Sequence, residues 1–335
     1  MKSELFPPKG NLPIPEQTAP ASSRPSPLRL LRKFYGALLG MIIALVAINY
    51  ILILIVPNFR DILTFDDELF FRYKPLSKTK DYHTLLADHR SVSYEIGPFG
   101  ERVDSPAAAE RYHDPYILCL GDSTTFGHGA DGNESYPYFL DQLVQPTATA
   151  LNFGVSGYNT YQTCQYAKKL INEFHPKVAV LQFDYNDDDP VLPIQAPPDR
   201  AWPWRSRVGG MFRFLALESP AGRRLNDTTP NARLSFENLM QSMRGQDMGV
   251  VLIYETLPKS LQGLPLDELP RRYGLRTIAH EITYYRNPEN RLKSSYHLNG
   301  RGAKELAGNV NRLIRENFPE LFDPDLRLLK AQPDT

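Results

Sequence analysis

Cysteine is scarce in this chain, with two in 335 residues, Cys119 and Cys164. They stand in no metal-binding or redox spacing, so a disulfide framework and a cysteine-held metal have no support, and both read as small core residues. An excess of charge is also missing. Lys+Arg and Asp+Glu are both 38, which removes the electrostatic case for nucleic acid or an acidic partner. The chain has no GxxxxGK[ST], HExxH, CxxC or GxSxG motif, so nucleotide, zinc-protease and α/β-hydrolase chemistry lose their usual sequence support. One GxGxxG match, at Gly127, Gly129 and Gly132, comes seven residues after the predicted strand end at residue 120. The acid expected about twenty residues further on is absent, so it is not a dinucleotide fingerprint. No metal and no organic cofactor is implied.

What the chain does have is apolar length. The composition is 42% hydrophobic, enough for a core in one large domain or two small ones. Residues 34–56, "FYGALLGMIIALVAINYILILIV", carry no charge and only Asn49 as a strongly polar side chain. At about 1.5 Å per residue this stretch reaches across a bilayer's hydrocarbon. A secretory signal has a shorter apolar region, and "PNFRD" after the span lacks a small-residue cleavage site. Arg24, Arg29, Arg32 and Lys33 precede the span, whereas Asp61, Asp66, Asp67 and Glu68 follow it. The positive-inside rule then predicts a cytoplasmic N-terminus and an extracytoplasmic remainder, periplasmic in a Gram-negative cell.

Before the span, residues 1–33 form a cytoplasmic tail whose first 27 residues hold seven prolines, a composition that reads as disordered. After it, 57–114 is a mixed extension with a turn at "GPFGER". From Tyr116 a regular alternation begins. "YILCL", "ATALNF", "VAVLQF" and "GVVLIY" predict strands near 116, 148, 178 and 249. Helical patterns fall at about 136–144, 158–174, 231–247 and 299–317. This order predicts an α/β fold, a three-layer α/β/α sandwich with a parallel sheet over residues 115–318, preceded by one transmembrane helix and followed by a tail at 319–335. The 190–230 stretch, with Trp202 and Trp204, interrupts the alternation. It reads either as a surface insertion or as a wall beside the site.

In a parallel sheet the ligand site lies beyond the carboxyl ends of the strands. Four polar breaks fall at such ends or at a helix start: "GDSTT", "NFGVSG", "FDYNDDD" and "SSYHLNGRG". Each has a bland reading. Ser123 or Thr124 serves as a helix cap, Gly154 as a turn glycine, Asn186 and Asp187 as turn residues, and His297 as one of seven histidines. Capping accounts poorly for all four together. A serine hydroxyl needs a neighbouring imidazole to take its proton, and the resulting oxyanion needs fixed donors. Ser123 as nucleophile, His297 as base, and the N–H of Ser123, the N–H of Gly154 and the Asn186 amide as donors meet both needs. His128, five positions after Ser123, would stand about 140° round a continuing helix, which favours His297.

These same residues resemble the SGNH (GDSL-type) hydrolases over about residues 116–317. "GDS" at 121–123 matches the first block, Gly154 the second, "DYND" at 184–187 the third, and "HLNGRG" from His297 the last. The resemblance implies an esterase acting through an acyl-enzyme on Ser123. With the membrane span and "GPFGER", the chain is similar to envelope members of the family. That suggests an acyl ester on a glycan or lipid as substrate, an O-acyltransferase acting on a surface polysaccharide as the alternative, and a catalytically inactive glycan-binding protein as the third reading. Two positions depart from the pattern. Asp184 replaces the usual glycine of the third block. Ser294 stands where the last block carries an acid, so the group that orients His297 is open. Ser294 itself, or Glu255, Glu289 or Asp188, are the alternatives, with loss of activity the remaining one.

Overall fold

The computed structural model describes residues 27–55, 59–66, 68–81, 91–184, 187, 229–266, 268–284, 286–293, 295–323 and 325. The proline-rich tail up to residue 26 and the 190–230 insertion, apart from residues 229 and 230, lie outside them. The chain separates into two compact units, Met1–Ile48 and Asn49–Thr335.

Helix α1 spans Pro27–Ile55. Its stretch Leu31–Ile48 is long and apolar enough to cross a membrane, and none of it is buried against protein. Leu39, Ile43 and Leu45 are each more than half exposed. Removing a side chain of this kind from water stabilises by about 1.5–3 kcal/mol, so such a row of them favours hydrocarbon over water.

In the second unit, β1 (Leu63–Asp66) and β2 (Phe70–Tyr73) form an antiparallel pair. The main sheet has eight strands. It comprises β3 (Lys78–Asp81), β4 (Val92–Ile96), β5 (Arg102–Val103), β6 (Tyr116–Leu120), β7 (Thr149–Asn152), β8 (Val178–Phe183), β9 (Gly249–Tyr254) and β10 (Arg276–Glu281). Their spatial order is β10-β9-β8-β6-β7-β5-β4-β3. The first five run parallel, and β5, β4 and β3 continue the sheet antiparallel. The four expected strands are β6 to β9. β10 has no counterpart in the strand pattern read from the sequence, because "RTIAHE" is short, polar and an edge strand. The extension before residue 115 is part of the same sheet, since β5 pairs with β7, β4 with β5 and β3 with β4.

Helices cover both faces. α2 (Ser123–Phe126) is one turn, followed by α3 (Tyr136–Val144), α4 (Thr160–Phe174), α5 (Thr229–Ser242) and α6 (Gly300–Asn317). On one face Cys164, Ala167, Leu170 and Ile171 of α4 and Phe236, Leu239 and Met240 of α5 pack with Leu118, Leu120, Leu181 and Leu252. On the other, Tyr136, Leu140 and Val144 of α3 and Leu306, Val310 and Ile314 of α6 pack with Ile117, Cys119, Val180 and Ile253. β6 and β8 are buried on both sides, which is why they read as continuous apolar runs rather than alternating ones. Cys119 and Cys164 are free, buried, and in different cores.

Candidate active site

β6 ends at Leu120 and α2 begins at Ser123, so two residues make the turn. The cap is Asp122, whose Oδ1 accepts from the Thr124 N–H at 2.8 Å. Ser123 is therefore the first helical residue rather than the cap, and it is partly exposed at the carboxyl edge of the sheet. Gly121 is required here: a Cβ on it would stand 2.4 Å from Thr125 Oγ1 and 2.7 Å from Gln182 Oε1. Ser123 Oγ lies 2.9 Å from His297 Nε2 and 3.2 Å from Asp122 Oδ2.

His297 comes from the loop before α6, 174 positions away in sequence. Arg291 and Leu298 bridge across that loop, and Leu292 N–H donates to the His297 carbonyl at 2.9 Å. Asn299 caps α6, accepting from the N–H groups of Arg301 and Gly302, and its amide donates to the carbonyls of Glu289 and Arg291. The imidazole is thus carried on a tied loop. Its Nδ1 lies 3.0 Å from Ser295 Oγ. With Nε2 facing the Ser123 hydroxyl, these partners assign the ring proton to Nδ1, donated to Ser295.

Among the expected orienting groups, Ser294 and Asp188 lie outside the described residues. Glu289 is exposed and ion-paired with Arg301 at the start of α6, so it turns away from the imidazole it was expected to hold. Glu255 is partly buried just past the end of β9. Ser295 was missed because the family pattern directs attention to the position three before the histidine, not two.

Gly154 takes a different place from the one expected. Its N–H donates to Asn152 Oδ1 at 3.0 Å, so that donor is already engaged. A Cβ on it would stand 2.2 Å from Phe126 N and 2.6 Å from Thr125 C, which makes this glycine the seat of the α2 backbone. Three residues on, Gly157 has φ 85°, the left-handed region that favours glycine. Among the described residues, neither the Gly157 nor the Ser123 N–H has a protein acceptor.

Asn186 lies outside the described residues, whereas Asp184 and Asp187 are described. Asp187 N–H donates to the Asp184 carbonyl at 3.2 Å, and the Asp187 carboxylate accepts from Asp184 N–H. The Asp187 carbonyl also accepts from Thr160 N–H at the start of α4. Asp184 Oδ2 receives Thr124 Oγ1 at 3.4 Å and Tyr284 Oη at 3.3 Å. Asp184 is therefore a buried strut under the turn that carries Ser123.

His128 also reaches the site. α2 stops at Phe126, Gly127 turns left-handed at φ 79°, and the His128 ring comes to 5.0 Å from that of His297. Its Nδ1 lies 3.3 Å from Ser156 Oγ, and it stacks on Tyr94. The helical projection that turned His128 away fails because the helix ends before it. Among the described residues no group of three His, Cys, Asp or Glu side chains forms a metal site.

Several solved structures are similar to this chain, and they are lipolytic and acyl hydrolases. A protein assigned to the G-D-S-L lipolytic family from Desulfitobacterium hafniense is 11% identical, with TM-score 0.35 over 59% of this chain and 99% of its own. The psychrotrophic esterase EstA from Pseudoalteromonas is 12% identical, with TM-score 0.40 over 62% and 99%. The lipase/acylhydrolase from Enterococcus faecalis is 16% identical, with TM-score 0.40 over 61% and 96%. At these values the likenesses assign no residue and no substrate. No family model and no curated protein matches the chain.

Proposed function

We propose that the chain is a membrane-anchored serine esterase of the SGNH type, with Ser123 as nucleophile and His297 as base. The observation that carries this reading is the 2.9 Å contact between Ser123 Oγ and His297 Nε2 at the carboxyl edge of a parallel sheet. In the first step Ser123 Oγ attacks the ester carbonyl while its proton passes to Nε2. Ser295 Oγ, accepting from Nδ1–H, holds the ring in the tautomer that keeps Nε2 open. The N–H groups of Ser123 and Gly157 have no protein acceptor among the described residues and face the oxyanion in this scheme, with the Asn186 amide as third donor. Gly157 replaces Gly154 as the glycine donor, because Gly154 N–H is held by Asn152. The imidazolium then protonates the leaving alcohol, and water or another alcohol completes the cycle.

An acyl ester on an envelope glycan or lipid is the substrate class proposed, on the strength of the apolar α1 helix and the sequence resemblance. A serine-directed fluorophosphonate probe tests the reading on the full chain in detergent. The expected outcome is one modified residue, Ser123, and no labelling of Ser123→Ala. Folded wild type that fails to label would overturn the enzyme reading. Measuring acyl release to water against transfer to a glycan hydroxyl then separates esterase from O-acyltransferase.

A further inference from the structure

The GxGxxG stretch that failed as a dinucleotide fingerprint wraps a side chain of this protein. Arg102 Nη1 donates to the carbonyls of Phe126 and Gly127, each at 2.6 Å, and Nη2 donates to the carbonyl of Ala130. The guanidinium carbon stands 4.5 Å over the Phe126 ring and 4.8 Å over that of Tyr94. Arg102 is 4% exposed, and among the described residues no carboxylate forms an ion pair with it. Burial pushes its pKa down. A buried cation is costly unless its donors are met. Here Nη1 and Nη2 meet three backbone carbonyls of one loop, while the buried Nε has no partner among the described residues; a lysine ammonium does not reproduce this two-pronged geometry.

That loop joins the proposed nucleophile to its neighbours. Gly127 N–H and His128 N–H both return to the Ser123 carbonyl, each at 2.9 Å. Gly127 and Gly129 have φ 79° and 80°, so the chain closes on the guanidinium instead of continuing the helix. A Cβ at Gly127 would stand 3.0 Å from Arg102 Nη1 and 2.8 Å from Ser135 Cβ. Tyr94 Oη, from the ring beneath the guanidinium, accepts from Gly129 N–H at 2.9 Å.

We propose that Arg102 is a positioning residue for the nucleophile, holding residues 126–130 so that Ser123 Oγ stays on His297 Nε2 and His128 stays beside His297. The inference rests on the reading of Ser123 as nucleophile. It also gives β5, a two-residue strand in the extension, a part in the site. Small displacements of reacting groups cost much in rate, so loosening this loop slows the serine while the fold survives.

The test is the second-order rate of fluorophosphonate modification at Ser123, in full-length protein, alongside its thermal unfolding. Arg102→Lys is expected to slow labelling by about tenfold or more. Tyr94→Phe, which keeps the ring and removes the Gly129 acceptor, is expected to slow it several-fold. In Arg102→Ala, added methylguanidinium is expected to restore part of the lost rate. A purely structural role predicts a lower unfolding temperature with an unchanged rate per folded molecule. Folded Arg102→Lys labelling at the wild-type rate would therefore overturn the proposal. If Arg102→Lys does not fold, a wild-type rate in Tyr94→Phe would overturn it. Wild type that does not label sinks the nucleophile reading itself and the positioning role with it.

Discussion

The Nδ1 side of His297 is where a single residue decides most. In a Ser-His-Asp arrangement a carboxylate both holds the ring and stabilises its charged form. A hydroxyl such as Ser295 Oγ, 3.0 Å from Nδ1, holds the tautomer but offers no full charge to the imidazolium. Ser295→Ala removes that acceptor, and with it the 3.3 Å bond from the His297 backbone N–H, while leaving the Ser123 side chain unchanged. Its labelling rate is expected to fall about tenfold, the scale of a lost orienting bond in a reacting group. An unchanged rate would show that another group holds Nδ1. Ser123 and His297, which the structure brings to 2.9 Å, were picked out in the sequence because "GDS" and "HLNGRG" are local patterns. Ser295 was not legible because its contact with His297, two residues on, turns on the conformation of that loop, and His128 was not because its place beside His297 depends on how two loops far apart in sequence meet. His128 in particular needs the helix to stop at Phe126, which Gly127 and the buried Arg102 arrange together.

At the scale of elements, the site is made by strand ends and the turns that leave them. β6, β7 and β8 are neighbours in the sheet, so "GDSTT" meets "NFGVSG" and, through Thr124, Asp184, although some thirty residues separate each from the next. Gly154 shows how tightly two of these turns approach. Gly154→Ala would place a Cβ 2.2 Å from Phe126 N, and backbone cannot move aside as a flexible side chain can. Overpacking of this kind costs about 1–3 kcal/mol. The unfolding midpoint is expected to fall by several degrees, with slower labelling of Ser123 in the folded fraction. An unchanged midpoint would mean that the two turns are not in this contact. Four of the five parallel strands, β6 to β9, and helices α3 to α6 were visible from periodicity. The antiparallel strands of the extension were not, because β3, β4 and β5 are two to five residues long and have a partner only once β7 is in place.

For the whole molecule, α1 carries the one stretch among the described residues long and apolar enough to cross a membrane, and the second unit carries Ser123 and His297. The Leu31–Ile48 stretch predicts that the full chain stays in the membrane pellet through alkaline carbonate washing, and that a chain lacking residues 27–55 does not. Recovery of the full chain in the supernatant would refute the anchor. By itself the sequence determined the apolar span, the alternation that makes an α/β sheet, and the identity of the serine and histidine, because each is written in composition, local periodicity or a short motif. Tertiary structure decided that Asp122 rather than Ser123 caps α2, that Ser295 meets His297, that Gly154 seats a backbone instead of offering its N–H, and that Arg102 fills the glycine loop. The first three are contacts between residues two apart, decided by the conformation each turn takes, and the fourth joins Arg102 to a loop more than twenty residues away; no local pattern encodes which donor a buried acceptor will meet.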